Sequence, residues 1–90
     1  MSTLSREDVY KLIDGEREYQ SKLGPDRTDG SDKTVGDYLT MLRSYLRKAE
    51  NAWTDNAGCE PALDQIRKVA AIAVRCMEDH GAPERPLDSL

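Results

Sequence analysis

Six consecutive apolar residues, Val69 to Val74, lie inside a long helical pattern that extends from Pro61 to Gly81. Six residues make more than one and a half turns, so a helix containing this run presents apolar side chains in every direction. Such a helix has to be covered on several sides. Two neighbouring helices of a small domain do not easily enclose it, and this requirement constrains the fold more than any other feature.

The third helix is predicted over residues 61–80. Its main apolar stripe is predicted to face the other helices, and this stripe consists of Leu63, Ile66, Val69, Ala70, Ala73 and Met77. The far side of the helix, around Ala71, Ile72 and Cys76, is then uncovered within one chain. We therefore expect a second subunit to pack on that side, where small alanine side chains let helices approach closely.

Two shorter amphipathic patterns precede this helix. The first is predicted over residues 6–23, with Ser5 as its N-cap, because a serine hydroxyl accepts a hydrogen bond from a free amide of the first turn. The second is predicted over residues 35–54, where Thr34 and Asp37 have the spacing of a capping box. Apolar residues recur at helical intervals in both segments, so each helix has one apolar side.

The chain is short enough for one domain, and we predict a single helical domain over residues 1–90 with an irregular tail over residues 82–90. A domain of this size buries only about 60% of its unfolded surface and often gains stability by self-association. The predicted fold class is therefore all-α, a three-helix antiparallel bundle that oligomerises through its third helix.

Composition excludes several classes of partner. Asp and Glu outnumber Lys and Arg by 17 to 13, so the net charge of −4 provides no overall field to attract a long nucleic acid. No apolar run approaches the roughly 20 residues that cross a membrane, and the N-terminus is unlike a signal peptide. Cys59 and Cys76 are predicted about 25 Å apart along one helix, beyond disulfide reach. We expect a cytoplasmic protein with reduced cysteines.

The first predicted helix carries a cluster of functional groups at residues 16–20, Glu-Arg-Glu-Tyr-Gln. Glu16 lies on the apolar side, where a carboxylate needs a partner: a metal or ligand group, or a basic residue of another helix. Arg17 has the fork geometry that grips phosphate, Tyr19 can stack on a base and Gln20 can read a base edge. The alternative is an ordinary charged face around one core tyrosine.

The other helices add candidates for a ligand site. Asp64, Lys68 and Arg75 share one face of the third predicted helix, with Arg67 close by. Lys68, Arg75 and Arg67 are candidates to clamp a phosphate, and a solvated, salt-bridged face is the alternative. Trp53, at the end of the second predicted helix, is interpreted as a core residue, with a stacking platform for a base as the alternative.

Four segments carry a resemblance to a known group of proteins. They are residues 16–20, residues 45–53 (Tyr-Leu-Arg-Lys-Ala-Glu-Asn-Ala-Trp), residues 66–73 (Ile-Arg-Lys-Val-Ala-Ala-Ile-Ala) and residues 76–85 (Cys-Met-Glu-Asp-His-Gly-Ala-Pro-Glu-Arg). Together they resemble small helical phage and prophage proteins described as MazG-like. The resemblance implies a helical oligomer in the cytoplasm of a bacterial host.

MazG-like enzymes hydrolyse nucleoside triphosphates to a monophosphate and pyrophosphate, with magnesium held by carboxylates in E-x-x-E and E-x-x-D patterns. This chain lacks those pairs, because its only acidic residues three apart lie in the polar loop over residues 25–33. No metal is therefore expected. If the chain hydrolyses nucleotides nonetheless, Glu16, Glu50 and Asp64 are the candidates to hold Mg²⁺.

The missing carboxylate pairs favour a non-catalytic, sponge-like binder of a nucleotide or nucleotide-derived signal over an enzyme. The ligand, a small phosphorylated molecule, is expected at subunit interfaces of a homo-oligomer, and its predicted contacts are Arg17, Tyr19, Gln20, Trp53, Arg67, Lys68 and Arg75. One alternative is a MazG-like nucleoside triphosphate pyrophosphohydrolase with Mg²⁺. The other is a protein-binding inhibitor of a host factor, in which the apolar surface of the third helix meets a foreign partner.

Overall fold

The computed structural model describes residues 3–22, 33–55 and 58–86, and these ranges contain three helices and no strand. The helices are α1 (Arg6–Ser21), α2 (Val35–Thr54) and α3 (Cys59–His80). Within these ranges, the prediction of three helices and an all-α fold is confirmed. The bounds of α2 are those predicted, whereas α1 ends two residues early and α3 begins two residues early.

Side-chain caps fix the starts of α1 and α2. The Ser5 hydroxyl accepts a hydrogen bond from the backbone amide of Asp8 at 3.1 Å. At α2 the Thr34 hydroxyl accepts from the amide of Asp37 at 3.0 Å, and the Asp37 carboxylate accepts from the amide of Thr34 at 2.9 Å. Three amides that would otherwise lack partners are thereby satisfied, and both predicted caps are confirmed.

Glycines with positive φ flank α3. Gly58, at the N-cap, has φ of 89°, and Gly81, at the C-cap, has φ of 93°, a region that side chains with a Cβ rarely adopt. The Gly81 amide closes the helix by donating to the carbonyl of Met77 at 2.8 Å. Pro61 is the third residue of α3 instead of the first, which the helix tolerates because first-turn amides have no partner within the helix.

Helix α3 occupies the middle of the molecule. It packs against both α1 and α2, and its contact with α2 is the more extensive. The buried apolar residues among those described are few and mostly small: Tyr38, Ala49, Ala62, Ala71 and Ile72. Small side chains let α2 and α3 approach closely, but they bury little apolar surface, so the core of the single chain is thin.

The predicted orientation of α3 about its axis was wrong. Ala71 and Ile72, expected to await a second subunit, are buried within the chain, and Cys76 is half-buried. Leu63, Ile66 and Met77, expected in the core, are each 46–48% exposed. The physical reason lies in the polar contacts of α3, because Arg75 and Asp79, on the same face as Ala71 and Ile72, are engaged by a buried tyrosine of α2.

Some predictions concern residues outside the described ranges. They include most of the polar loop over residues 25–33 and the last four residues of the tail. The described part of the tail, residues 82–86, has no regular secondary structure, as predicted. None of the described helices is long and apolar enough to cross a bilayer.

Candidate functional site

An open apolar groove runs along α3 on both sides of Ile66. Its part between α1 and α3 has a volume of about 400 Å³, its part between α2 and α3 about 360 Å³, and an extension at the Trp53 end about 190 Å³. Ile66 lines all three parts, which we call together the Ile66 groove. Its other apolar lining side chains include Leu4, Val9, Leu12, Leu46, Trp53, Ala62, Leu63 and Ala70.

Trp53 lies at one end of the Ile66 groove and is 60% exposed, so its interpretation as a core residue was wrong. The small core explains this position, because α2 meets α3 through Ala49 and Ala62 and has no depth there for an indole ring. An exposed ring beside an apolar groove can stack on a planar ligand or pack against another protein chain.

Carboxylates of two helices meet on one guanidinium at the polar edge of the groove. Arg67 Nε donates to Glu16 Oε1 of α1 at 2.9 Å, and Arg67 Nη2 donates to Asp64. Glu16 therefore has a basic partner on another helix, which was one of the two kinds of partner predicted for it. The hydrogen bond from Arg67 lowers the pKa of Asp64, and the bonds to Glu16 and Asp64 raise the pKa of Arg67.

Two further cations of the predicted site have carboxylate partners. Arg17 Nε lies 2.8 Å from Glu78 Oε2, and its Nη2 donates to the other oxygen at 3.0 Å, a bidentate pair between α1 and α3. Lys68 Nζ lies 3.6 Å from Asp64 Oδ2 within α3. Both pairs are partly exposed, so each adds less than about 1 kcal/mol and can exchange for another anion.

Arg75 lies inside the molecule, against the buried ring of Tyr38. Its guanidinium carbon is 5.9 Å from the ring centroid, and the Tyr38 hydroxyl donates a short hydrogen bond to Asp79. Burial and, secondly, this hydrogen bond raise the pKa of Tyr38 to about 12. Arg75 therefore helps to join α2 to α3, which leaves it poorly placed for a ligand that approaches from solvent.

His80 completes the contact between the start of α2 and the end of α3. Its Nε2 donates to the carbonyl oxygen of Lys33 at 2.8 Å, and its ring meets Tyr38 edge-on, with centroids 5.9 Å apart. This cluster was not predicted from the sequence. The available signal was Tyr38 itself, which stands on the apolar stripe of α2 and whose hydroxyl needs a partner once buried.

Tyr19 and Gln20 are adjacent in sequence but differ in environment. Tyr19 is exposed, while the side chain of Gln20 is buried and its Oε1 has no hydrogen-bond partner among the described residues. Neither residue lines the Ile66 groove. Of the seven predicted ligand contacts, the structure brings Trp53 and Arg67 to the groove and leaves Arg17, Tyr19, Gln20, Lys68 and Arg75 outside its lining.

The candidate metal ligands are divided between two places. Glu16 and Asp64 converge, as they would for a metal, but both are engaged by Arg67, while Glu50 lines the part of the groove beside α2. Within the described ranges, no group of three or more His, Cys, Asp and Glu side chains is placed to hold an ion. Cys59 and Cys76 are unpaired, as predicted.

Comparison with known proteins provides no family for this chain. No family model matches it, and no curated protein and no solved structure matches it.

Proposed function

We propose that the chain is a non-catalytic binder of a nucleotide or nucleotide-derived signal, held where subunits of a homo-oligomer meet. The observation that carries the proposal is Trp53, a large aromatic ring left 60% exposed at the end of an apolar groove. Stacking of a base on an aromatic ring is worth about 1–3 kcal/mol and tolerates any base. A groove with such a ring at its mouth suits a flat, partly apolar ligand.

The phosphate of this ligand is assigned to Arg17 and Lys68 ahead of Arg67. Arg67 is held by two carboxylates, one of which is nearly buried, so its charge is already balanced. Arg17 and Lys68 each face a more exposed carboxylate, which an incoming phosphate can displace at small cost. These residues lie apart in one chain, so the proposal requires a second subunit to bring such groups and a ring together.

The proposal includes an antiparallel arrangement of α2 and α3 and oligomerisation through α3. Tyr38, near the start of α2, contacts Asp79 near the end of α3. Trp53, near the end of α2, lines a groove with Cys59 at the start of α3. These two contacts, at opposite ends of both helices, support the antiparallel arrangement.

Isothermal titration calorimetry against a panel of linear and cyclic nucleotides tests the binding function. We expect at least one nucleotide to bind, and Trp53→Ala to weaken it at least fivefold through lost stacking. Tyr10→Ala is the matched control, because Tyr10 is equally exposed, at 61%, but does not line the groove. Absence of binding across the panel at high micromolar concentration contradicts the proposal.

The second candidate function is recognition of another protein through the same apolar surface. Exposure of Leu12, Leu46, Leu63 and Ile66 along one groove favours it, since contiguous exposed apolar surface commonly marks an interaction site. Static light scattering separates the two functions. A chain that remains a monomer at high micromolar concentration favours a foreign protein partner, such as a host factor.

Hydrolysis receives less support from the geometry. Magnesium at Glu16 and Asp64 would have to displace the guanidinium of Arg67, which donates to both carboxylates. Magnesium also needs several hard oxygens in octahedral arrangement. One result would favour the MazG-like hypothesis. The chain would release pyrophosphate from a nucleoside triphosphate in the presence of Mg²⁺, and Glu16→Gln would abolish this release.

A further inference from the structure

The apolar side chains that α3 leaves open are spaced as in a coiled coil. Alternating intervals of three and four residues separate them, and they form a seam along the helix: Leu63, Ile66, Ala70, Ala73 and Met77. Each of these residues is exposed or half-buried. This is the spacing at which the a and d positions of a heptad meet a partner helix, each side chain entering a hole between four residues of that partner.

We propose that this α3 seam is a helix-docking surface and that its occupant is the α3 seam of a second copy of the chain. The inference rests on the proposed function for the ligand that the interface holds, but the self-association is argued independently, from area, charge and side-chain size. It also moves the subunit interface to the opposite side of α3 from the one that the sequence predicted.

The exposed apolar side chains are the surface that a second copy would cover. Leu63, Ile66 and Met77 of the seam are each 46–48% exposed, and Leu12 and Leu46, which line the same groove, are about half exposed. Contiguous exposed apolar surface of this kind commonly marks an interaction site. A standard protein interface removes about 800 Å² from each partner, and seam-to-seam packing would bury these side chains first.

The charges beside the seam allow two copies to approach. Along its central part the flanking positions are Arg67, Val69, Val74 and Cys76, of which only Arg67 is charged. Glu16 and Asp64 of the same chain already balance that charge. Like charges at flanking positions are the usual means by which helices reject a partner. The central part of the α3 seam has no such repulsion against itself.

The sizes of the seam residues locate the crossing point. Ala70 and Ala73 are the smallest and stand in the middle of the seam, with the larger Ile66 and Met77 on either side. Two helices can approach most closely at the alanines, and helices that cross at an angle diverge away from that point. Leu63 and Ile66 of the seam also line the groove at Trp53, so the second subunit would form one wall of that part of the groove, where the proposed ligand binds.

Cysteine cross-linking tests the geometry. The background chain carries Cys59→Ser and Cys76→Ala. In this background, Ala70→Cys or Ala73→Cys introduces one thiol that meets its copy near the two-fold axis of the dimer. We expect at least one of these two variants to form a dimer on a non-reducing gel after mild oxidation. Ser44→Cys, on the exposed side of α2, is the control and should remain monomeric on the gel. Failure of both seam cysteines to cross-link overturns the proposal.

A charge placed in the seam provides a second readout. Ala73→Glu should raise the dissociation constant of the dimer at least 100-fold by light scattering, while Ser44→Glu adds the same charge and should leave it unchanged. An unchanged dissociation constant in Ala73→Glu contradicts self-association. So does a wild-type chain that stays monomeric up to several hundred micromolar, roughly the range in which weak dimers form. Nucleotide calorimetry is a separate test. A dimer that cross-links but binds no nucleotide would contradict only the proposed function and would leave the self-association standing.

Discussion

At the scale of single residues, Arg67 makes the inter-helix contact that involves the more deeply buried carboxylate of the ion pairs. Glu16 has a side chain only 10% exposed, and Arg67 is the partner that keeps its carboxylate satisfied between α1 and α3. A carboxylate in such a place is costly without a donor. Sequence reasoning identified the need for a partner but not which one, because several cations lie within one or two turns of each other.

Replacement of Arg67 by methionine should therefore destabilise the fold. We expect Arg67→Met to lower the free energy of unfolding by about 2–3 kcal/mol, because the Glu16 carboxylate is left nearly buried without its donor. Urea unfolding followed by circular dichroism measures the change. Adding Glu16→Leu to Arg67→Met should recover most of the lost stability. If Arg67→Met alone is as stable as the wild type, the Glu16–Arg67 pair contributes nothing to stability.

The same contact predicts a dependence on acid. The hydrogen bond from Arg67 lowers the pKa of Asp64 below its unfolded value. The contribution of this bond to the free energy of unfolding is therefore fully present above about pH 4. It should be lost as the pH falls further and the carboxylate is protonated. In Arg67→Met this part of the acid dependence should be absent, and equal acid profiles of the two proteins would be inconsistent with the pair.

Tyr38 predicts the opposite dependence, on base. Its pKa is raised to about 12, first by burial, so its stabilising contribution is complete below the unfolded pKa near 10. This contribution should disappear as the pH rises from about 10 to 12. We expect Tyr38→Phe to be less stable than the wild type by about 1–2 kcal/mol at pH 7, because the hydrogen bond to Asp79 is lost.

Unfolding of both proteins over this pH range provides the measurement. The difference in stability between wild type and Tyr38→Phe should narrow toward pH 12, since the other titrating groups are common to both. If the difference in stability stays constant from pH 9 to 12, roughly the range in which tyrosines titrate, the Tyr38 hydroxyl is exposed to solvent in the folded chain and this account of it is wrong.

At the scale of the helices, sequence predicted lengths better than orientations. Thr34 and Asp37 identify the start of α2 because a capping box is a local arrangement of four residues. The orientation of α3 about its axis was not predictable in this way. Its run from Val69 to Val74 is apolar on all sides, so periodicity contains no information about which side faces inward.

What decides the orientation of α3 is a set of contacts distant in sequence. Tyr38 and Asp79 are 41 residues apart, and Glu16 and Arg67 are 51 apart. Both contacts require the tertiary arrangement before they can be recognised. The candidate site shows the same division, because Trp53 was singled out from sequence, while its exposure depends on how thin the core beneath it is.

The capping box of α2 makes a prediction at this scale. Thr34→Ala should destabilise the fold by about 1 kcal/mol through loss of the hydroxyl that accepts from Asp37. Thr40→Ala, an exposed site inside α2, is the matched control and should change stability by less than about 0.5 kcal/mol. Thermal and urea unfolding give both values. Equal losses in the two variants would mean that the box has no particular role.

At the scale of the whole molecule, a thin core is combined with exposed large apolar side chains. Among the described residues, two of the five buried apolar side chains are larger than alanine, namely Tyr38 and Ile72, whereas Trp53, Ile66 and Leu63 are about half exposed or more. A single chain arranged in this way has few means of reaching ordinary stability. Association along the α3 seam would supply the missing burial.

Stability should then depend on protein concentration. If folding and association are coupled, each tenfold rise in concentration adds about 1.4 kcal/mol per dimer, so the Tm should increase by several degrees between 5 and 500 µM, a roughly hundredfold range. Differential scanning calorimetry measures it. The Ala73→Glu chain, if it remains folded, should show a Tm that does not change with concentration.

Sedimentation equilibrium of the unmodified chain measures the association itself. We expect a mass of at least twice the 10.1 kDa of one chain at tens of micromolar, dissociating on dilution or on charge insertion at Ala73. A single species of 10.1 kDa at all concentrations up to several hundred micromolar, roughly the range in which weak dimers form, would contradict self-association through the α3 seam.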